Sequence, residues 1–183
     1  MNRRRVMLLA PLGVAAVAGA GFWSVLSRMR AGRFDPHEVP SQLIGRRAPD
    51  FAALPPLPPA LGFGGADLAA GRPILVNFFA SWCVPCIIEH PELMALSREG
   101  LPIWGIAYKD KPEAAAGFLA RHGNPFARVA RDEPGGVAID WGVYGVPESY
   151  LLDGKGVVRW RLAGPLTPAI VAEQLRPLLR ALA

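Results

Sequence analysis

The stretch Trp82-Cys83-Val84-Pro85-Cys86 decides how this chain is interpreted, because it holds the only two cysteines among 183 residues. An apolar run over residues 74–80, interrupted only by Asn77, precedes it, and residues 87–98 have the pattern of a helix. A helix begins with N–H groups that lack intrahelical partners and with the positive end of its dipole. A thiolate is stabilised there, so its pKa falls and it becomes a nucleophile near neutral pH.

Two cysteines separated by two residues at a strand-to-helix transition are typical of a thioredoxin-like redox pair. Cys83 is the predicted nucleophile, and Cys86, one helical turn further on, closes a redox-active Cys83–Cys86 disulfide. A purely structural disulfide would close so short a loop that it would stabilise the chain little. A structural zinc site needs four ligands, and the three histidines show no spacing that completes one. The pattern favours redox catalysis and predicts no metal and no cofactor.

The net charge of +5 comes largely from arginines near the N-terminus, at positions 3, 4, 5, 28, 30 and 33. Arginines that flank an apolar segment indicate membrane topology. No basic stripe with interleaved aromatic residues follows, so the sequence predicts no nucleic-acid binding.

Residues 6–26 carry no charge and are long enough as a helix to cross a hydrocarbon core of about 30 Å. We therefore expect an N-terminal membrane anchor over residues 1–27, a tether over 28–44 and a periplasmic domain over 45–183. A cleaved signal peptide is the alternative, since Ala16-Val17-Ala18 resembles a cleavage site. A redox domain outside the cytoplasm has abundant disulfides to act on.

Hydrophobic periodicity and turn residues predict strands and helices in alternation along the domain. The order is β, α, β, α, β, a short helix, a β-hairpin and a final helix with Thr167 as its N-cap. The third strand is predicted over residues 126–130. This order predicts a thioredoxin-like three-layer α/β/α fold with a central mixed sheet. The proline-rich residues 54–59 favour a loop that lies along the surface, with a polyproline ligand for a partner as the alternative.

The segment from Gly142 to Ser149 precedes the predicted hairpin and contains Val146-Pro147. In thioredoxin-like folds a cis proline at this place faces the cysteines, and a cis bond marks a fixed, tight geometry. We expect Val146 to offer its backbone to an extended substrate peptide. An ordinary trans proline at the start of a strand is the alternative.

Four stretches make a more specific resemblance. They are Gly71–Cys86, Glu89-His90-Pro91, Gly105-Ile106-Ala107-Tyr108-Lys109-Asp110 and Gly142-Val143-Tyr144-Gly145-Val146-Pro147-Glu148. On these, and on the N-terminal apolar segment, the chain resembles the CcmG/DsbE family, the membrane-anchored thioredoxin-like oxidoreductases of cytochrome c maturation.

The resemblance implies a thiol:disulfide oxidoreductase, single-pass in the inner membrane, with its C-terminal domain in the periplasm. Its substrate would be the haem-binding Cys-x-x-Cys-His disulfide of apocytochrome c. Electrons would come from a membrane thiol transporter of the DsbD or CcdA type, and other components of cytochrome c maturation would be partners.

Several residues beside the cysteines are expected to tune them or to face the substrate. Asn77 stands where ordinary thioredoxins carry a buried aspartate, and it cannot ionise. Glu89 and Glu148 match acidic positions of the family, and a nearby carboxylate raises the pKa of a thiol or accepts its proton. A solvated surface position is the alternative for Glu89. The remaining expected substrate-facing or tuning residues are Trp82, Pro85, Tyr144, Val146 and Pro147.

Two other functions remain open at this point. One is a general periplasmic reductant of the TlpA type, which the Gly-Val-Tyr-Gly-x-Pro-Glu stretch disfavours. The other is a binding module without catalysis, which holds copper through two soft thiolates or holds apocytochrome.

Overall fold

The computed structural model describes residues 13–14, 16–24, 27 and 41–182. The described residues before position 28 are helical, and residues 41–182 belong to a separate compact unit. Among all these described residues, no helix is both long enough and apolar enough to span a membrane. Much of the predicted anchor and most of the predicted tether lie outside the described residues, so the anchor stays a prediction. Contacts of the compact unit begin at Ser41, four residues before the predicted boundary.

A mixed five-stranded sheet forms the centre of the compact unit, in the order β3-β2-β1-β4-β5. Strands β1, β2 and β3 run parallel, and β4 pairs antiparallel with both β1 and β5. The strands are β1 Ile74–Phe79, β2 Ile103–Tyr108, β3 Arg128–Asp132, β4 Glu148–Leu152 and β5 Val158–Ala163. The predicted thioredoxin-like α/β fold with a mixed sheet is confirmed.

Helices and irregular segments cover both faces of the sheet. They are a 3₁₀ turn at Gly65–Leu68, α1 Val84–Arg98, α2 Pro112–His122, α3 Gly136–Asp140, α4 Pro168–Ile170, a π turn at Val171–Leu175 and α5 Arg176–Leu182. One core cluster joins α1, α2 and the C-terminal helical residues to the sheet, and a second joins α3 and the 3₁₀ turn to the other face. Thr167 accepts a hydrogen bond from the Ile170 N–H at 3.3 Å, as expected of an N-cap.

Strand β1 is buried along its whole length, as a central strand between two helical layers should be. Successive side chains of a strand point to opposite faces. Leu75 and Phe79 therefore belong to the cluster under α1, whereas Val76 and Phe78 belong to the cluster on the other face. Asn77 shares the parity of Leu75 and Phe79, which places an amide beneath α1.

Two predicted element boundaries are wrong. Helix α1 begins at Val84 and not at residue 87, because Cys83 acts as its N-cap and the proline after Val84 fits the first turn. Strand β3 begins at Arg128, two residues later than predicted. Phe126 lies before the strand and is part of the core, since its ring stacks on Phe79 with centroids 4.8 Å apart. The predicted strand includes it because its side chain is apolar.

The proline-rich segment lies along the edge of the sheet, which confirms the surface-loop prediction. The Leu57 N–H donates to the Val129 carbonyl at 3.1 Å, and the Arg131 N–H donates to the Pro55 carbonyl at 2.9 Å. An uncovered edge strand offers unpaired backbone groups to other chains. The segment thus satisfies backbone groups of β3.

Candidate active site

The two cysteines form a disulfide at the start of α1. Cys83 is the N-cap residue, and the Cys86 N–H donates to its sulfur at 3.1 Å. Both residues are almost fully buried, at 3% and 2% exposure. Pro85 lies between them in the exposed first turn. The backbone of α1 therefore presents an N–H directly to the sulfur of Cys83, the contact that stabilises a thiolate at a helix start.

The loop before β4 faces this disulfide. The Val146–Pro147 bond is cis, as predicted. The Cys83 sulfur lies 3.3 Å from the Val146 carbonyl oxygen. The backbone just before Pro147 and the sulfur of the nucleophile are therefore neighbours, so a peptide that reached this sulfur would also meet the Val146–Pro147 backbone.

Two aromatic side chains are exposed in the loops that hold these groups. Trp82 is 58% exposed, and its indole N–H donates to the Lys109 carbonyl at 3.3 Å. Tyr144 is 56% exposed, and the Arg161 guanidinium carbon lies 5.4 Å from the centre of its ring. Each ring is exposed to solvent and has a polar or cationic partner within the fold, so both are placed where a substrate could contact them.

Glu89 is completely buried on the inner face of α1, so the alternative of a solvated helix residue is wrong. Its Oε1 accepts a hydrogen bond from the Asn77 amide at 2.8 Å, and its Oε2 accepts one from the Leu166 N–H at 2.9 Å. Burial raises the pKa of Glu89 to about 7, although both hydrogen bonds favour the carboxylate and lower it. A carboxyl group that titrates near neutral pH lies one helical turn beyond Cys86.

Asn77 connects Glu89 to the neighbouring strand. Asn77 and Ser149 are register partners across β1 and β4, and the Asn77 amide nitrogen lies 3.0 Å from the Ser149 hydroxyl oxygen. Among the described residues, the Asn77 amide oxygen has no hydrogen-bond partner. An amide carries both donors and an acceptor. The amide nitrogen donates a hydrogen bond to the Glu89 carboxylate. Rotation of the amide would turn its oxygen toward Glu89, where it could accept a hydrogen bond from the protonated acid.

Glu148 is the second buried carboxyl group, at 1% exposure. The Arg161 Nε donates to its Oε1 at 2.5 Å, and the Tyr150 hydroxyl also donates to this oxygen. Burial raises the pKa of Glu148, and the hydrogen bond and positive charge of Arg161 oppose that rise. Glu148 and Arg161 thus form an ion pair with little access to solvent, and Glu148 is the residue that follows Pro147.

Sequence reasoning missed Arg161, Tyr150 and Ser149. The signal that could have found them is the register of the predicted hairpin, since Tyr150 and Arg161 are partners across β4 and β5. Among the residues that the structure describes, no three His, Cys, Asp or Glu side chains come together as metal ligands.

Comparisons with known proteins agree with this geometry. A family model described as Redoxin matches residues 44–175. The thiol:disulfide interchange protein HelX of Rhodobacter capsulatus is 41% identical over 174 residues, which cover 95% of each chain. The thiol:disulfide interchange protein DsbE of Escherichia coli K12 is 38% identical over 176 residues, 96% of this chain and 94% of that one. A crystal structure of a DsbE-type interchange protein from Chlorobium tepidum superposes with a TM-score of 0.64 at 31% identity, over 76% of this chain and 98% of the other.

Proposed function

We infer the function of this chain from its family, because it belongs to the Redoxin family and, within it, to the DsbE/HelX thiol:disulfide interchange proteins. It is a thiol:disulfide oxidoreductase with a thioredoxin-like fold. We propose further that it works as a reductant. Its substrate would be the haem-binding Cys-x-x-Cys-His disulfide of apocytochrome c. The sequence stretches shared with the CcmG/DsbE family support this choice of substrate.

The proposed direction of electron flow rests on the two buried carboxyl groups, Glu89 and Glu148. Glu89 lies one turn beyond Cys86, and Glu148 comes two residues after Val146, whose carbonyl contacts the Cys83 sulfur. A strong oxidant such as DsbA owes its potential to a stabilised reduced form. A carboxylate near the cysteines destabilises a thiolate and so disfavours that form. Arg161 offsets the charge of Glu148, so the larger effect is assigned to Glu89, which is partly ionised near its pKa of about 7. Such a charge favours a dithiol that gives up its electrons.

The reaction runs through two exchange steps. The Cys83 thiolate attacks one sulfur of the substrate disulfide, a new sulfur–sulfur bond forms, and the leaving substrate thiolate takes up a proton. Cys86 then loses its proton and attacks the Cys83 sulfur, which releases the second substrate sulfur and closes the Cys83–Cys86 disulfide. Two electrons pass from the dithiol to the substrate, whose two sulfurs end as free thiols.

Glu89 is the proposed acceptor for the proton that Cys86 releases. A general base works best when its pKa lies near the working pH, and burial brings the pKa of Glu89 to about 7. Asn77 cannot take this role, because an amide does not ionise.

The proposed location is the periplasmic side of the inner membrane, with the N-terminal apolar segment as anchor. Residues 6–26 are uncharged and long enough to span a bilayer as a helix. A reductant in an oxidising compartment needs a supply of electrons. A membrane thiol transporter of the DsbD or CcdA type would return two electrons to the Cys83–Cys86 disulfide.

Trapping the substrate tests the proposal. In Cys86→Ser the second step cannot occur, so the mixed disulfide between Cys83 and its substrate should accumulate. We expect apocytochrome c among the trapped proteins, identified by mass spectrometry after non-reducing electrophoresis. The double variant Cys83→Ser/Cys86→Ser is the matched control and should trap nothing.

The trapping experiment, together with Cu(I) titration and reduction assays on the wild-type protein, separates the alternatives. Recovery of many unrelated secreted proteins without apocytochrome c would indicate a general reductant of the TlpA type. A wild-type protein that binds Cu(I) tightly but reduces neither apocytochrome c nor insulin would indicate a binding module.

A further inference from the structure

The loop between β2 and α2 contacts the active-site turn through three hydrogen bonds. The Asp110 Oδ2 accepts from the Ser81 N–H at 2.6 Å, and its Oδ1 accepts from the Ser81 hydroxyl at 2.9 Å. The neighbouring Lys109 carbonyl accepts from the Trp82 indole at 3.3 Å. The two residues immediately before Cys83 are therefore held by two residues that are 27 to 29 positions away in sequence.

The backbone of this loop is in an unfavourable conformation. Lys109 has a φ of +45°, the only positive value among the described residues other than glycine. A side chain with a Cβ pays a cost in the left-handed region, and such residues concentrate at functional sites. This conformation places the Lys109 carbonyl on Trp82 and the Asp110 carboxylate on Ser81.

Asp110 is well placed to act on the nucleophile through this turn. It is 6% exposed, and both of its oxygens are used on a single residue. The Cys83 N–H donates to the Ala80 carbonyl at 3.2 Å, so Ser81 and Trp82 form the turn that delivers Cys83 to the helix start. A carboxylate with two hydrogen bonds to one residue of a turn fixes both the position and the orientation of that turn.

We propose that Asp110 is a positioning residue for Cys83, which holds the Ser81–Trp82 turn so that the sulfur faces the Val146–Pro147 backbone and an incoming disulfide. Exchange requires the attacking sulfur to approach a disulfide along a defined direction, and a small misplacement of a reacting group slows a reaction strongly. The inference rests on thiol–disulfide exchange at Cys83 and does not depend on which protein is the substrate.

The test measures the second-order rate with which the reduced full-length protein reacts with oxidised glutathione, a small disulfide that needs no docking surface. Asp110→Ala removes both hydrogen bonds and should slow the reaction about tenfold. Ser81→Ala removes only the hydroxyl contact and should cause a smaller loss. Asp110→Asn keeps an oxygen for the Ser81 N–H and offers an amide donor to the Ser81 hydroxyl, so its rate should stay within about twofold of wild type.

Asp140→Ala, at an exposed aspartate of α3, is the matched control and should react at the wild-type rate. Rates are measured below the melting transition of each variant and across pH, so that neither lower stability nor a changed thiolate fraction can imitate misplacement. Should Asp110→Ala fail to fold, Ser81→Ala carries the test. A wild-type rate for folded Asp110→Ala overturns the proposal, and so does an Asp110→Asn variant as slow as Asp110→Ala. Because the probe is glutathione, failure here leaves the proposed apocytochrome c substrate untouched.

Discussion

The pH dependence of stability should report directly on Glu89. Its pKa rises from 4.5 to about 7 on folding. The native protein therefore binds one proton more than the unfolded chain between these pH values. Stability rises with pH wherever the unfolded state binds more protons, so here it must fall. The stabilisation that comes from the raised pKa of Glu89 is fully present below about pH 4.5 and is lost as pH rises through about 7. At 1.36 kcal/mol per pKa unit, the loss is about 3 kcal/mol.

Glu89→Gln removes this titration while keeping the shape of the side chain. The glutamine carbonyl can accept from the Leu166 N–H, and its amide can donate to the Asn77 oxygen after that amide rotates. We expect the variant to match wild type near pH 4.5. At pH 8 it should exceed wild type in free energy of unfolding by about 3 kcal/mol.

Urea unfolding of the oxidised full-length protein at pH 4.5, 6 and 8 measures the difference, since disulfide-bonded cysteines do not titrate. Glu99→Gln is a control in which the difference from wild type should change with pH in the opposite direction. Glu99 is exposed, and its hydrogen bonds to Arg176 lower its pKa, so wild type gains from this pair as pH rises. A difference between Glu89→Gln and wild type that does not change with pH would refute the assignment of a protonated, buried Glu89.

Two further predictions concern Glu148 and the cysteine pair. Arg161→Met should lower the free energy of unfolding at pH 7 by about 3–5 kcal/mol, because it leaves the buried Glu148 carboxylate without its cation; a loss under about 1 kcal/mol in urea unfolding would show that the pair contributes little. The reduction potential of the Cys83–Cys86 disulfide, measured against glutathione or dithiothreitol, should be well below the DsbA value of about −120 mV, and a potential at that level would exclude a reductant.

Local patterns in the sequence were sufficient for the redox pair and for the order of elements. A Cys-x-x-Cys between an apolar strand and a helix needs only its neighbours to be recognised. The cis bond at Pro147 could be predicted from its place before the hairpin and is present in the structure. The boundaries of α1 and β3 were missed, because an N-cap cysteine and a core phenylalanine both differ from the periodic pattern.

The protonation behaviour of the site could not be read from the sequence. Glu89 is three residues after Cys86 on a helix, and that spacing alone fits a solvated surface position equally well. What decides its pKa is removal from water together with one donor from β1 and one from residue 166, which is 77 positions away. Desolvation and long-range partners exist only once the chain has packed.

The stretch from Trp82 to Cys86 shows the same contrast between what the sequence determines and what the tertiary structure decides. Its residue types and spacing determined that this protein exchanges disulfides, because the chemistry belongs to two thiols at the start of a helix. The tertiary structure decided how that chemistry is positioned. Asp110 reaches Ser81 from another loop, and the Val146 carbonyl reaches the Cys83 sulfur from the loop before β4, the strand that pairs with β1. Contacts between segments so distant in sequence depend on how the sheet is ordered, and no local pattern encodes that order.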